Sequence, residues 1–170
     1  MPRVLALLVA AFVCAACASS PPAPASASPS GGASIRPAGT GGDAVVRAAL
    51  GMVGVPYRYG GASPRGFDCS GLVIWAYEEA GHPGLPHSAA RLAELAQPVA
   101  LEALVPGDLM FFQLAGKKTS HVGIYVGDRR FVHAPSSGGR VEIVDFDHVY
   151  WRRHIGHAGR MLPGAKLARH

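Results

Sequence analysis

Cysteine is scarce in this chain of 170 residues, which contains only three. Cys14 and Cys17 lie in an apolar leader, so Cys69 is the single cysteine downstream of it. One cysteine cannot form a disulfide within its own domain, which excludes a fold held together by disulfides. Two alternatives remain for Cys69, a small buried hydrophobic residue or a nucleophile.

A run of apolar residues long enough to span a bilayer is also missing. The basic head Met1-Pro2-Arg3 precedes the stretch VLALLVAAFVCAACA, which is too short for a transmembrane helix and is typical of a secretory signal. Its end, FVCAAC, resembles a bacterial lipobox, in which Cys17 is lipidated and becomes the mature N-terminus. Cleavage by an ordinary signal peptidase after Ala16-Cys17-Ala18 is the alternative.

The leader predicts where the protein resides. We expect residues 1–17 to be a lipoprotein signal peptide, so the mature protein is exported and held on a membrane through a lipid anchor. No aspartate follows Cys17 as an inner-membrane retention signal would require. The predicted location is therefore the outer membrane of a Gram-negative cell, facing the cell wall.

Large apolar side chains are almost absent from residues 18–42, which consist mainly of Pro, Ala, Ser and Gly. Such a segment buries too little surface to offset the entropy cost of ordering it. We predict a disordered, flexible tether, partly extended by its prolines. One compact domain is then expected over residues 43–163, followed by a basic tail at 164–170.

The first half of this domain has apolar residues at helical spacing. The segment DAVVRAALGMV predicts a helix with Asp43 as its N-cap, and residues 88–96 predict a second, short helix. Between them, Asp68 is placed to cap a helix that begins at Cys69 and stops at Gly81. The apolar residues of that helix share one face with Cys69, so we expect the thiol to point inward.

The second half changes to short runs rich in Val, Ile, Phe and Tyr. The runs GDLMFFQL, HVGIYVG, RFVHA and VEIV predict the strands of an antiparallel meander. The segment HVYWRRHIGHAGRML predicts a helical turn and then a last strand. Helices followed by strands indicate an α+β domain in which the N-terminal helices pack on one face of an antiparallel sheet.

The position of Cys69 at the start of a helix favours the nucleophile. The thiolate is the reactive form, and the helix macrodipole with its unpaired N–H groups favours an anion there. The free backbone N–H of Cys69 is also placed to donate to an oxyanion. An imidazolium beside the thiol would lower its pKa further, and we expect such a thiolate–imidazolium pair near neutral pH.

Two of the eight histidines lie on predicted strands, His121 in HVGIYVG and His133 in RFVHA. Strand alternation puts His121 and Gly123 on one face, where glycine leaves room for a close-packed helix. A three-residue hairpin loop or a bulge would put His133 opposite Gly123 and beside His121, whereas a loop of two or four residues would separate the histidines. The sequence GDRR leaves the loop length open. The other histidines are interpreted as surface or turn residues: His82, His87, His148, His154, His157 and His170.

The motifs DCSGLV, PGDLMFF, HVGIYVG and FVHAP, in this order and spacing, resemble the NlpC and p-sixty family of bacterial cell-wall cysteine peptidases. The resemblance covers nearly the whole domain and implies a papain-like α+β fold. It also implies Cys69 as the nucleophile, His121 as the general base and His133 as the third polar residue, which orients the base. No cofactor or metal is implied, and we expect a monomer.

Residues around the implied nucleophile resemble the family less uniformly. Tyr57, in PYRYGG, looks like the tyrosine that lies near the thiol, and with Ser70 it is a candidate for binding the substrate or an oxyanion. The match weakens at LPHSAARL, where members more often have arginine or threonine at His87 or Ser88. This departure affects substrate recognition rather than the catalytic group.

The implied reaction is hydrolysis of an amide bond in the peptide stem of peptidoglycan. His121 would take the thiol proton and later protonate the leaving amine, and an acyl-enzyme would form and be released by water. The bond between D-glutamate and a diamino acid, and the bond from the diamino acid to D-alanine in a cross-link, both remain open.

Two alternatives use the same three residues. One cysteine and two histidines are a possible zinc donor set with an open fourth position, and a thiol-dependent acyltransferase would use another acceptor in place of water. The net charge of +5 suits a polyanionic surface, but solvated charge explains it equally well. Three pairs of basic residues are interpreted as solvent-exposed tips of loops: Lys117-Lys118, Arg129-Arg130 and Arg152-Arg153. We therefore predict no nucleic-acid site.

Overall fold

The computed structural model describes residues 41–114, 116, 118–136 and 138–161. The predicted signal peptide, the lipidation at Cys17 and the basic tail lie outside these residues, as does nearly all of the predicted tether. No helix within the described ranges combines the length and the apolar character needed to cross a membrane.

The helices form at the predicted places, with one boundary shifted. Helix α1 begins two residues before the predicted N-cap, so Asp43 lies inside its first turn. A carboxylate is still stabilised there by the positive end of the helix macrodipole. Helix α2 begins at Cys69 and ends just before Gly81, which takes the left-handed conformation (φ 86°) typical of a helix stop. The helices are α1 (Gly41–Leu50), α2 (Cys69–Glu79), α3 (Ala89–Leu95) and α4 (Val149–His154), with a 3₁₀ turn at Leu101–Ala103.

Within the described residues, eight strands form two antiparallel sheets. The two-residue strands β1 (Ala62–Ser63) and β2 (Gly66–Phe67) pair with each other just before α2. The main sheet has the strand order β3-β8-β4-β5-β6-β7, so the predicted meander from β4 to β7 is confirmed. Its strands are β3 (Gln97–Val99), β4 (Leu109–Phe112), β5 (His121–Gly127), β6 (Arg130–His133), β7 (Glu142–Asp145) and β8 (Ile155–Arg160).

The last strand returns to the middle of the sheet, between β3 and β4. An ion pair accompanies this placement, since Arg160 of β8 donates to both carboxylate oxygens of Asp108 at 2.7 and 2.8 Å. Asp108 is only 2% exposed and also accepts the N–H of Val105 at 2.9 Å. The aspartate of the PGDLMFF motif therefore joins two strands.

Alternation along β4 and β5 divides the apolar residues between two faces of the main sheet. Leu109, Phe111, Val122 and Ile124 pack in one cluster with the buried residues of α1 and α2, as the α+β prediction requires. The opposite face is covered too, by an aromatic cluster to which α4 contributes a tryptophan: Met110, Phe112, Phe131 and Phe146, with Trp151 against them.

Candidate active site

Asp68 positions the first turn of α2. Its Oδ1 accepts the backbone N–H of Gly71 at 2.7 Å and the Ser70 hydroxyl at 3.1 Å, which confirms the predicted cap. Its Oδ2 accepts the N–H of Gly60 at 2.9 Å and so ties the preceding loop to the helix. Cys69 follows directly, which places its thiol at the positive end of the helix.

His87 is part of this capping network. It is exposed, as expected for a surface or turn residue, but its Nε2 also donates to Asp68 Oδ1 at 2.8 Å. Sequence reasoning missed it because the contact joins residues that are 19 positions apart in the chain. The one indication in the sequence was the departure from the family at His87 or Ser88, where members more often have arginine or threonine. His87 thus supports the carboxylate that organises the helix start.

The thiol of Cys69 lies against the beginning of β5. The backbone N–H groups of Val122, Ser70 and Cys69 itself lie near the sulfur and act to lower the pKa of the thiol. Val122 directly follows His121 in the strand, so the thiol lies at the end of β5 that carries this histidine. The side chain is half-buried and packs against the cluster on the α1/α2 face, as the apolar spacing of α2 predicted.

Both histidines lie on the same face because the hairpin between β5 and β6 contains a bulge. Ile124 pairs with Val132 and Tyr125 with Phe131, but Gly127 pairs with Arg130, so the register shifts by one residue. The turn itself has only two residues, Asp128 and Arg129, both at positive φ (49° and 58°). A two-residue turn alone would have put the two histidines on opposite faces of the sheet. The extra residue of the bulge puts them on the same face.

The rings of His121 and His133 are joined by a hydrogen bond of 2.8 Å between Nε2 of His121 and Nδ1 of His133. The two side chains are buried, with 3% and 0% of their surface exposed. Burial lowers the pKa of His121 to about 4, and burial together with the neighbouring His121 lowers the pKa of His133 to about 3. Both rings are therefore neutral at pH 7.

Trp151, which the sequence interpretation did not single out, covers this pair. Its ring stacks on His121 with centroids 5.8 Å apart and meets His133 edge-on at 4.7 Å. Phe112 and Phe131 complete the aromatic surroundings of the two imidazoles. An indole over a hydrogen-bonded pair excludes water and strengthens the bond. Only the folding of α4 onto the sheet brings Trp151 here.

The role expected for Gly123 is wrong. The sequence placed a close-packed helix on the histidine face of β5, but α1 and α2 pack on the other face, against Val122. At Gly123 a Cβ would lie 2.5 Å from the ring of Phe131, so the missing side chain makes room for an aromatic residue of β6. Because Phe131 belongs to the cluster around the histidines, Gly123 still contributes to the site.

The expected thiolate–imidazolium pair is also corrected. Burial raises the pKa of Cys69, and the negative charge of Asp68 adds to this, outweighing the backbone N–H groups that favour the anion. The pKa of His121 is lowered at the same time. The helix terminus supplies the favourable dipole, but desolvation penalises both charges, so the resting groups are a thiol and a neutral imidazole.

Tyr57 and Ser70 lie beside the thiol in different ways. Burial raises the pKa of Tyr57, and the charges of Cys69 and Asp68 raise it further, so the phenol stays protonated and remains a hydrogen-bond donor near the sulfur. The Ser70 hydroxyl donates to Asp68, so the group of Ser70 that faces the sulfur is its backbone N–H.

The zinc alternative finds no support in the geometry of the three residues. The His121–His133 hydrogen bond uses one ring nitrogen of each histidine, so the two rings are arranged in series rather than around a common point. Within the described part of the chain, no three His, Cys, Asp or Glu side chains converge as a metal site would require.

Comparisons with known proteins identify relatives of this chain. A probable endopeptidase of Mycobacterium tuberculosis (strain ATCC 25618 / H37Rv) is 50% identical over 132 residues, which cover 74% of this chain and 33% of the relative. Murein DD-endopeptidase MepH of Escherichia coli (strain K12) is 42% identical over 115 residues, or 65% of this chain and 42% of the relative. The chain thus spans less than half the length of either relative.

The crystal structure of an NlpC/P60 family protein from Bacillus cereus ATCC 10987 has the same fold. Its TM-score is 0.67 at 30% sequence identity, with 72% of this chain and 40% of that chain covered. The papain-like α+β fold that the motifs implied is therefore confirmed. The NlpC/P60 family model matches residues 54–160, which is more than half of the sequence. This chain belongs to the NlpC/P60 family.

Proposed function

We propose that this protein is a cysteine endopeptidase that hydrolyses amide bonds in the peptide stems or cross-links of bacterial peptidoglycan. The observation that carries the proposal is the thiol of Cys69, at the capped start of α2 and against the end of β5 where His121 is hydrogen-bonded to His133. The names of its relatives, which include a murein endopeptidase, support the substrate.

The neutral resting state defines the first chemical step. His121 uses Nε2 for its bond to His133, so Nδ1 is the nitrogen left to accept the thiol proton. Because the separated charges are unfavourable in the buried site, the proton moves as the sulfur attacks the carbonyl carbon. The resulting imidazolium is stabilised through its hydrogen bond to His133.

The remaining steps follow the chemistry of thiol acyl transfer. The carbonyl oxygen becomes an oxyanion, for which the backbone N–H groups of Cys69 and Ser70 and the hydroxyl of Tyr57 are nearby donors. His121 then protonates the leaving amine, the C–N bond breaks and a thioester remains on Cys69. Water, deprotonated by His121, attacks the thioester and releases the carboxylic acid.

Digestion of purified muropeptides tests this function. The wild-type protein is expected to convert them into smaller products, and mass analysis of each product identifies the amide bond that is cut. Cys69→Ala removes the nucleophile and leaves the Asp68 cap in place, so it is expected to bind and fold but release no product. Intact muropeptides after incubation with the wild type would contradict the proposal, and new cross-linked products would indicate an acyltransferase.

We further propose that the enzyme is tethered to a membrane through lipid on Cys17. The support is the run of small residues before Cys17 and the Pro/Ala/Ser/Gly segment after it. Labelled palmitate is expected in the wild type and in Cys14→Ser, the matched control, but not in Cys17→Ser. Label in Cys17→Ser, or none in the wild type, would contradict lipidation and favour ordinary signal-peptide cleavage.

A further inference from the structure

One fully buried ring nitrogen of the histidine pair, Nε2 of His133, has no hydrogen-bond partner. His133 is completely buried, and its Nε2 is the only buried side-chain nitrogen or oxygen within the described residues that lacks such a partner. Buried polar groups are almost always paired, since an unpaired one loses its hydration without compensation. This nitrogen therefore points to an interaction that the three implied catalytic residues do not include.

A carboxylate on the neighbouring strand lies close to this nitrogen. Glu142 pairs with His133 in the register of β6 and β7, and its Oε1 lies 3.4 Å from His133 Nε2. The Glu142 side chain is 55% exposed, so the carboxylate remains hydrated while one oxygen faces the buried ring. The other described groups around His133 are His121, Phe131 and Trp151, of which only His121 titrates.

The position of this carboxylate distinguishes the two tautomers of the neutral pair. In one, His121 donates from Nε2, so His133 carries its proton on Nε2 and directs it at Glu142. In the other, His133 donates from Nδ1, and the lone pair on its Nε2 would face the carboxylate, which is repulsive. An anion beside Nε2 therefore favours the first tautomer.

The choice of tautomer decides whether His121 can act as a base. When its Nε2 carries the proton, its Nδ1 has a free lone pair that can take the proton of the thiol. When its Nε2 accepts from His133 instead, its Nδ1 carries the proton and cannot accept one from the thiol. In the first tautomer, His121 donates to His133 and His133 points its proton at Glu142. The carboxylate therefore also stabilises the positive charge that develops on His121.

We propose that Glu142 is a positioning residue that fixes the tautomer of the His121–His133 pair and keeps Nδ1 of His121 available as the base. This inference rests on the proposed peptidase function. Glu142 acts through His133 and does not touch the thiol.

Kinetics of three variants test the proposal. Glu142→Ala is expected to lower kcat on muropeptides by roughly ten- to a hundredfold, as the loss of a partner to a buried polar group does, with KM nearly unchanged. Glu142→Gln keeps a carbonyl oxygen that accepts from His133 and is expected to restore most of the rate. Asp145→Asn removes a carboxylate from the same strand and should behave as the wild type. Equal losses in the alanine and glutamine variants, or no loss in either, would overturn the proposal.

Nitrogen-15 NMR of the histidine rings at pH 7 separates this inference from the proposed function, because it needs no substrate. In the wild type, His133 is expected to carry its proton on Nε2 and His121 to have an unprotonated Nδ1. In Glu142→Ala the two tautomers are expected to mix. A proton on Nδ1 of His133 in the wild type, or identical spectra for both proteins, would overturn the role of Glu142 even if muropeptides are cleaved. Failure of the wild type to cleave them would instead refute the peptidase function.

Discussion

Replacing His121 with alanine is expected to lower the rate of muropeptide hydrolysis by about 10²- to 10⁴-fold, the usual contribution of a positioned general base. The variant keeps Cys69, its helix terminus and the capping carboxylate of Asp68. Burial raises the pKa of Cys69 and so favours the protonated thiol, and we expect the imidazole to take its proton. The measurement is kcat/KM on a defined muropeptide at pH 7.

A matched control is His157→Ala, which removes another strand histidine. His157 stacks on Phe111, with centroids 4.8 Å apart, and belongs to β8 rather than to the histidine pair. Its replacement should leave hydrolysis near the wild-type rate. His133→Gln, which keeps a hydrogen-bonding side chain beside His121, is expected to lose far less activity than His133→Ala. If His121→Ala hydrolyses as fast as His157→Ala, the assignment of the base is wrong.

Acidification is expected to destabilise the fold between pH 6.5 and about pH 4. Folding lowers the pKa of His121 from 6.5 to about 4 and that of His133 to about 3, mainly through burial. The unfolded chain therefore binds protons that the folded chain does not. The stability due to the neutral rings is fully present above pH 6.5 and is lost as the pH falls toward the folded-state values. Each histidine contributes a slope of about 1.4 kcal/mol per pH unit in this window.

Urea unfolding at a series of pH values measures this effect. The wild-type free energy of unfolding is expected to fall steeply from pH 6.5 to pH 4.5. The double variant His121→Gln/His133→Gln, which carries no titrating ring in the cluster, should show a smaller slope, and the difference isolates the pair from carboxylates that titrate nearby. Parallel curves for the two proteins would mean that the rings are not held neutral by burial.

Local sequence was sufficient for the helix that carries the thiol. Asp68 caps α2 because its side chain reaches the N–H of Gly71, only three residues away, and Gly81 stops the helix because glycine takes positive φ at little cost. The strands from β4 to β7 were predictable for the same reason, since their period of two is a local pattern. The insertion of β8 beside β4 was not, because it joins distant parts of the chain, as the Asp108–Arg160 ion pair does across 52 residues.

The β5–β6 hairpin shows why local sequence patterns did not predict the relative position of the two histidines. Two-residue turns with positive φ at both positions usually contain Asn-Gly or Asp-Gly, whereas this turn is Asp128-Arg129. The arginine is held there by an ion pair with Asp147 and by the ring of Phe146, 4.7 Å from its guanidinium carbon. Both contacts come from the segment after β7, so the turn sequence alone does not indicate the bulge that aligns the histidines.

The sequence by itself determined the α+β class, the nucleophile candidate at a capped helix start and the two strand histidines, because each depends on neighbours a few residues away. The tertiary structure decided the chemistry of the site. Packing of α4 brought Trp151 over the rings, the pairing of β6 with β7 brought Glu142 to His133, and the approach of Asp68 to His87 completed the cap. Burial made the thiol and the imidazoles neutral, and burial is a property of the folded chain that no local pattern contains.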